Sequence, residues 1–293
     1  MRRLVLFVGV VAWTGCSEKA PPGGDKGGGD GDAYVIKLRP PQQGDEAVVT
    51  RKRAGKVTQT VGGKAKSQHQ AERYEYTETI LEMPAGASKP TKANRAFKVA
   101  EKSDEKGKLQ LLHYAGKTVE ILVSPIKGVG YIFIVGGNAL QPPERDDFLE
   151  EFQGPKKPEL ESLLPKNPVR VGEEWSAPLS AIAAVIGGQM KFDLDNDKSR
   201  VTSKLLRVYQ KDGRQCGVVE MKIHMVITPA GKGPALSGTI NADVTLDAVI
   251  DGSASTRSMQ MRMDGALSAT DATSGKVTLE IQGEQEQTRT PVK

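Results

Sequence analysis

Apolar and polar residues alternate over long stretches of the second half of the chain. Every even position from 240 to 250 is apolar, and most of the odd positions are polar. The same period of two recurs at 190–194, 219–227, 259–263 and 277–281, and it is typical of β-strands with one buried face. The Asp-Gly pair at 212–213 predicts a tight hairpin between two such strands. These segments predict an antiparallel meander of about six long strands.

The first half of the chain is also strand-like, although its alternation is less regular. The segment at 131–135 is apolar on both faces, which predicts a central strand that is covered on both sides. Residues 84–94 contain Pro and Gly and predict a loop. The predicted strands of this half lie at 33–38, 48–60, 72–83, 109–113, 119–123 and 131–135.

Helical patterns are confined to the middle of the chain, at about 144–187. Two short candidates lie at 144–152 and 159–164, and an Ala-rich candidate at 179–186 ends at a Gly pair. The last candidate is apolar and must therefore pack against another element, such as the buried face of a sheet. The predicted fold is therefore mainly β (α+β), with a curved antiparallel sheet or half-barrel of long strands and a few helices packed on one face. Residues 33–293 are expected to form a single domain.

The N-terminus has the features of an export signal. Two arginines precede an apolar segment at 4–13, which has the length of a signal-peptide core and is too short to span a bilayer. The residues that follow, Thr14-Gly15-Cys16, resemble the lipobox of bacterial lipoproteins. The resemblance implies that residues 1–15 are removed and that Cys16 carries the lipid, palmitate included. The alternative is an ordinary secretory signal followed by an unmodified cysteine.

A Gly-rich segment at 17–32 follows this cysteine. Such a segment cannot bury apolar surface, so residues 16–32 are predicted to be a flexible tether between the lipid and the folded domain. Ser17 stands where an Asp favours retention in the inner membrane of well-studied lipoproteins. The expected location is therefore the cell envelope, on the periplasmic or outer surface, with the outer membrane favoured over the inner.

Composition adds two constraints. The chain is 38% hydrophobic, which is enough for a core, and its net charge is +5. Two of these charges belong to the predicted signal peptide, which leaves about +3 and argues against a nucleic-acid partner. The basic run at 51–53 is interpreted as a solvated edge or turn.

Motifs for catalysis, cofactors and metals were not found in the sequence, so no catalytic residue, cofactor or metal site is predicted. Asp193, Asp195 and Asp197 match the start of a calcium loop, but Lys204 stands where that loop needs a Glu. Once Cys16 is acylated, Cys216 has no disulfide partner and is interpreted as a small residue beside a turn. The three histidines, His69, His113 and His224, have no metal-ligand spacing.

Two other features are assigned to packing. Trp175 is interpreted as a core or turn-anchoring residue. The methionines at 259, 261 and 263 form a stripe that is expected to pack in the core, although a Met-lined surface also suits a flexible apolar ligand.

Two segments carry a further resemblance. Residues 165–175 have the sequence PKNPVRVGEEW and residues 38–45 have the sequence LRPPQQGD. Both resemble recurrent elements of uncharacterised, exported, strand-rich bacterial proteins. The wider layout resembles LolA-like and LppX-like lipoprotein-carrier folds, which implies a concave apolar sheet face that binds acyl chains; the binding residues stay unknown.

The leading hypothesis is a non-catalytic, membrane-anchored envelope lipoprotein. Its curved sheet would bind an apolar ligand, such as a lipid, or an envelope partner protein. The alternative is a structural or interaction module of the envelope with a flat sheet and no ligand cavity. A hydrolase whose site is assembled from distant carboxylates is a third hypothesis.

Overall fold

Long β-strands dominate the computed structural model, which describes residues 31–104, 106–126, 130–152, 160–179, 193–229, 236–271 and 275–292. The first half contains β1 (Ala33–Tyr34), β2 (Glu46–Val61), β3 (Lys64–Glu82), β4 (Lys92–Ser103), β5 (Leu109–Leu111), β6 (Thr118–Val123), β7 (Tyr131–Val135) and β8 (Asn138–Ala139). Helix α1 (Glu144–Phe152) and a 3₁₀ turn (Leu160–Leu163) follow. The second half contains β9 (Val169–Arg170), β10 (Glu174–Ser176), β11 (Asp193–Leu194), β12 (Arg200–Lys211), β13 (Arg214–Thr228), β14 (Ser237–Val249), β15 (Arg257–Asp271) and β16 (Gly275–Pro291).

Fourteen of these strands form one curved antiparallel sheet. Its main path runs β10-β12-β13-β14-β15-β16-β2-β3-β4-β6-β7-β8, with β11 beside β13 and β5 beside β4. The mainly β class and the curved antiparallel sheet are therefore confirmed. Strands β1 and β9 pair separately.

The two halves of the chain meet in the middle of this sheet. Strand β16 pairs with β2 along its length, from Val277 opposite Val61 to Pro291 opposite Ala47. Two-residue turns join β2 to β3, β7 to β8 and β12 to β13. The predicted hairpin at Asp212 and Gly213 is confirmed, and both residues have positive φ values of 50° and 72°, as the turn between paired strands requires.

One face of the sheet carries both main cores, and we call it the covered face. Residues directly opposite each other on neighbouring strands point to the same side, so the register places Val49, Arg289, Arg257 and Ala248 on one face. Over β12–β16 this face is aliphatic and Met-rich, and over β2–β7 it is aromatic. Helix α1 covers the aromatic part through Phe148 and Phe152.

Three expectations differ from the structure. Strand β4 (Lys92–Ser103) was not predicted, and it begins within the loop expected at 84–94. The helix expected at 159–164 is a 3₁₀ turn at Leu160–Leu163.

The third difference concerns β7. Tyr131–Val135 was expected to be central, yet β7 lies next to the two-residue edge strand β8. On the covered face Phe133 and Val135 are buried, whereas Ile132 and Ile134 on the other face are partly exposed. A run of apolar residues therefore does not show by itself which face of a strand is packed. The α-helix at Glu144–Phe152 is present, whereas the expected helix at 179–186 lies, beyond Leu179, outside the described residues.

The described part of the chain contains no helix with both the length and the apolar character to cross a membrane.

Gly238 at the start of β14 allows a close backbone contact, which yields a first prediction. Its φ is +147°, and a Cβ atom there would lie 2.1 Å from the Ala266 carbonyl oxygen. Gly238→Ala is expected to lower the free energy of unfolding by about 2–3 kcal/mol, because the backbone of β15 must move. Urea denaturation measures this loss. Gly283→Ala is the control, since its Cβ would meet nothing closer than 3.7 Å; equal losses in both variants would contradict the assignment.

Candidate functional site

The covered face is interrupted by a polar stripe along the second half of β16. Gln285, Gln287 and Arg289 all point to this face, and none is more than 3% exposed. The sequence showed no apolar alternation here, because β16 continues with Gln and Arg where a core strand would carry aliphatic residues. Buried polar groups cost free energy unless they form hydrogen bonds or ion pairs. The side chains of this stripe therefore need polar or charged partners on the neighbouring strands.

Glu78 of β3 is the centre of that network. Arg95 Nε donates to Glu78 Oε1 at 2.9 Å, and Arg289 Nη1 donates to Glu78 Oε2 at 2.7 Å. Arg95 also reaches helix α1, where its Nη1 donates to Glu151 Oε2 at 3.0 Å. Three strands and the helix are thereby joined by charge-assisted hydrogen bonds, which are stronger than neutral ones.

The charges of this network are stable near neutral pH. Burial raises the pKa of the Glu78 carboxyl, but Arg95 and Arg289 lower it more, so this pKa lies below its ordinary value. Burial lowers the pKa of Arg95, and Glu151 and Glu78 together raise it well above its ordinary value. Both groups therefore stay ionised, and Glu78 lacks the raised pKa that a general acid needs.

Arg51 belongs to the same face, so the interpretation of 51–53 as a solvated edge or turn is wrong. Strand β2 lies between β16 and β3 in the interior of the sheet. Arg51 is directed towards the covered face and its Cζ lies 4.6 Å from the Tyr74 ring centroid, while Lys52 is exposed on the other side. A run of three charges does not show which members alternate onto the packed face.

A cavity of about 640 Å³ lies over this network. Its polar side is formed by Glu78, Arg95, Arg257, Gln287 and Arg289. Its other walls are largely apolar and come from α1, the end of β3 and two segments outside the sheet. Those walls include Leu38, Pro41, Ile80, Met83, Ala87 and Phe152.

Two loops build the apolar wall, and both are held by internal hydrogen bonds. In the first, Arg39 donates to both oxygens of Asp45, at 2.8 and 3.1 Å. In the second, Ala87 N donates to the Pro84 carbonyl at 3.0 Å. The first loop overlaps the 38–45 segment of the sequence resemblance. The second falls within the predicted loop at 84–94, of which residues 92–94 belong to β4.

A second cavity of about 510 Å³ lies near the chain segment before β2. Its lining includes Lys37, Gln215 and Asp251. The Asp251 carboxylate already accepts the backbone N–H groups of Gln215 and Ser253, at 3.0 and 2.8 Å. The Asp251 carboxylate is therefore already engaged by the backbone and is less able to bind a ligand. The cavity at the arginine network is the stronger candidate for a ligand site.

The sequence-predicted site residue Cys16, with the signal peptide at 1–15, lies outside the described residues. Cys216 is buried beside Val249, close to the hairpin turn, and burial raises the pKa of its thiol. Its interpretation as a small packed residue is confirmed. Trp175 packs at the edge of the aliphatic core, and its Nε1 donates to the Leu163 carbonyl at 3.1 Å, which confirms its anchoring role.

The other singled-out residues do not contribute to the cavity. Met259 and Met263 are buried in the aliphatic core, as expected, and Met261 packs against it. Asp195 accepts the backbone N–H groups of Asp197 and Lys198, each at 3.2 Å, and so forms a turn. Within the described residues, no group of three or more His, Cys, Asp or Glu side chains could hold a metal ion.

Comparison with known proteins shows only weak similarity. The sequence matches no family model and no curated protein. Among solved structures, lipovitellin, described for its lipid–protein interactions, is 13% identical over 85% of this chain and 25% of its own, with a TM-score of 0.34. A DUF1329 family protein from Desulfovibrio piger is 13% identical over 80% of this chain and 83% of its own, with a TM-score of 0.12. The chain thus spans a quarter of lipovitellin's length, and these scores leave its family open.

Proposed function

We propose that this protein is a non-catalytic envelope lipoprotein, anchored through Cys16, that binds a lipid or similar apolar ligand against the covered face of its sheet. The observation that carries the proposal is the cavity of about 640 Å³ between the sheet, α1 and the two loops. Small-molecule sites typically measure roughly 300–1,000 Å³ and combine apolar walls with a few convergent polar groups.

The wall chemistry favours a chain-like apolar ligand. Ile80, Met83 and Phe152 supply aliphatic, thioether and aromatic surface within one cavity. Met adapts its shape to flexible ligands, and each buried methylene of a bound chain contributes about 0.8 kcal/mol. A saturated acyl chain therefore fits this wall better than a polar metabolite does.

The cavity also favours this proposal over the structural alternative. A module without ligand is expected to have a flat sheet with no cavity, whereas the sheet is curved and the cavity lies near the ends of β3, β15 and β16. The carboxylates support the non-catalytic part of the proposal. Glu78 and Glu151 are both held by arginine, and Glu78 has a lowered pKa, which suits a fixed anion rather than a proton donor.

Lipid extraction of the purified full chain tests the proposal. Organic solvent releases non-covalent ligands, while acyl groups on Cys16 stay bound to the protein. Mass spectrometry of the extract is expected to show about one acyl-chain ligand per protein. Ala87→Trp fills the cavity and is expected to remove most of this ligand.

The matched control is Ala65→Trp, since Ala65 is exposed on β3 and does not line the cavity. This variant is expected to keep the wild-type ligand content. An extract without any amphiphile, from wild type and control alike, would overturn the proposed function. Equal ligand content in both variants would place the ligand elsewhere.

A further inference from the structure

Two arginines face each other across neighbouring strands at the cavity wall. Arg257 of β15 is directly opposite Arg289 of β16 in the sheet register. Both side chains are buried on the covered face and both line the cavity. Like charges in directly opposite positions destabilise a sheet, and a guanidinium cannot lose its proton in a protein. The pair therefore fixes two positive charges at one point of the wall.

Most of the charged side chains that line the cavity are cationic. Glu78 is shared between Arg95 and Arg289, and Glu151 is bound by Arg95. The charged residues among the described lining are Lys89, Arg95, Arg257 and Arg289 against Glu78 and Glu151. Two buried like charges in directly opposite positions are costly, and an anion bound at Arg257 and Arg289 would reduce that cost.

We infer that the cavity binds an amphiphile with an acidic head group, a carboxylate or a phosphate, held by Arg257 and Arg289. The inference rests on the proposed function, because it assigns the head group of the same ligand. A guanidinium can donate two parallel hydrogen bonds to either acid. Ile80 and Phe152 line the same cavity, so an acid bound at the arginines can lay its chain on the apolar wall.

Calorimetric titration of the full chain with three amphiphiles tests this inference. Palmitate and palmitoyl lysophosphatidate carry the two acidic heads, and hexadecanol has the same chain with a neutral head. The acid with the higher affinity is expected to bind roughly tenfold or more tightly than hexadecanol. Which of the two acids this is shows whether the preferred head group is a carboxylate or a phosphate.

The key variant is Arg257→Gln, and its matched control is Arg262→Gln. Arg262 lies on the same strand but is exposed on the opposite face. Arg257→Gln is expected to weaken acid binding roughly 10- to 100-fold and to leave hexadecanol binding unchanged, which also shows that the variant is folded. Arg262→Gln is expected to leave all three affinities unchanged.

The outcomes separate the inference from the proposed function. Equal affinity for the acids and the alcohol, unaffected by Arg257→Gln, would overturn the head-group inference and leave lipid binding intact. An equal loss of acid binding in Arg262→Gln would also overturn it, since the effect would then reflect general charge. Absence of binding by all three amphiphiles would overturn the proposed function itself.

Discussion

Glu78→Ala is expected to lower the free energy of unfolding by about 3–5 kcal/mol, because it removes one partner from a buried ion network. The Glu78, Arg95 and Arg289 side chains are 10%, 7% and 4% exposed, so the two guanidinium groups would lose a shared carboxylate at a site that is largely shielded from water. Glu78→Gln keeps the shape and one acceptor oxygen, and it is expected to lose less. Urea denaturation measures both.

The matched control is Glu75→Ala on the same strand. Glu75 binds Lys98 Nζ at 2.7 Å, but the Lys98 side chain is 75% exposed, so this change is expected to cost no more than about 1 kcal/mol. If Glu78→Ala and Glu75→Ala had equal effects, the network would not stabilise the fold.

The titration of Glu78 makes the free energy of unfolding depend on pH. The folded-state pKa of Glu78 lies below its ordinary value, so its contribution is fully present above the unfolded pKa of about 4.3. That contribution is lost as the pH falls through the lower folded-state pKa. Glu78→Gln is expected to remove this part of the acid sensitivity when unfolding is compared at about pH 7 and about pH 3. An unchanged pH profile would contradict this role.

Cys16→Ala is expected to abolish lipid attachment altogether. The thiol of Cys16 is the proposed acylation site, and alanine offers no group for a thioether. Metabolic labelling with an alkyne analogue of palmitate measures incorporation, and intact mass distinguishes a chain that begins at Cys16 from one that retains residues 1–15. The variant is expected to carry no label and to keep those residues.

Cys216→Ala is the control for this experiment. Cys216 is buried in the sheet domain and far from the predicted signal in sequence, so its variant is expected to be labelled and processed like the wild type. Label that persisted in Cys16→Ala, or disappeared in Cys216→Ala, would contradict anchoring through Cys16.

The sequence pattern predicted the fold best where one face is purely apolar. The alternation at 240–250 located β14 within a few residues, because each even side chain packs in the aliphatic core. The pattern at 277–281 found only the start of β16, since the strand continues to Pro291 with Gln285, Gln287 and Arg289 on its covered face. Period-two analysis does not detect a strand whose buried residues are polar.

The candidate site could not be predicted from the sequence, for a different reason. Glu78, Arg95, Arg257 and Arg289 come from four strands, and only the pairing of β16 with β2 brings the two halves together. Each residue alone is an ordinary charged strand position. The signal that could have suggested a site was the polar run at 284–289 inside a segment that must still form a strand.

The central claim is that an acyl chain occupies the cavity at the arginine network. Cross-linking of the full chain with a photoactivatable palmitate, followed by peptide mass spectrometry, tests it most directly. We expect adducts on Leu38, on 40–43, on 83–90 and at Phe152, which line that cavity, and we expect unlabelled palmitate to suppress them. Adducts on the uncovered face of β13–β15, or adducts that excess palmitate does not reduce, would contradict the claim.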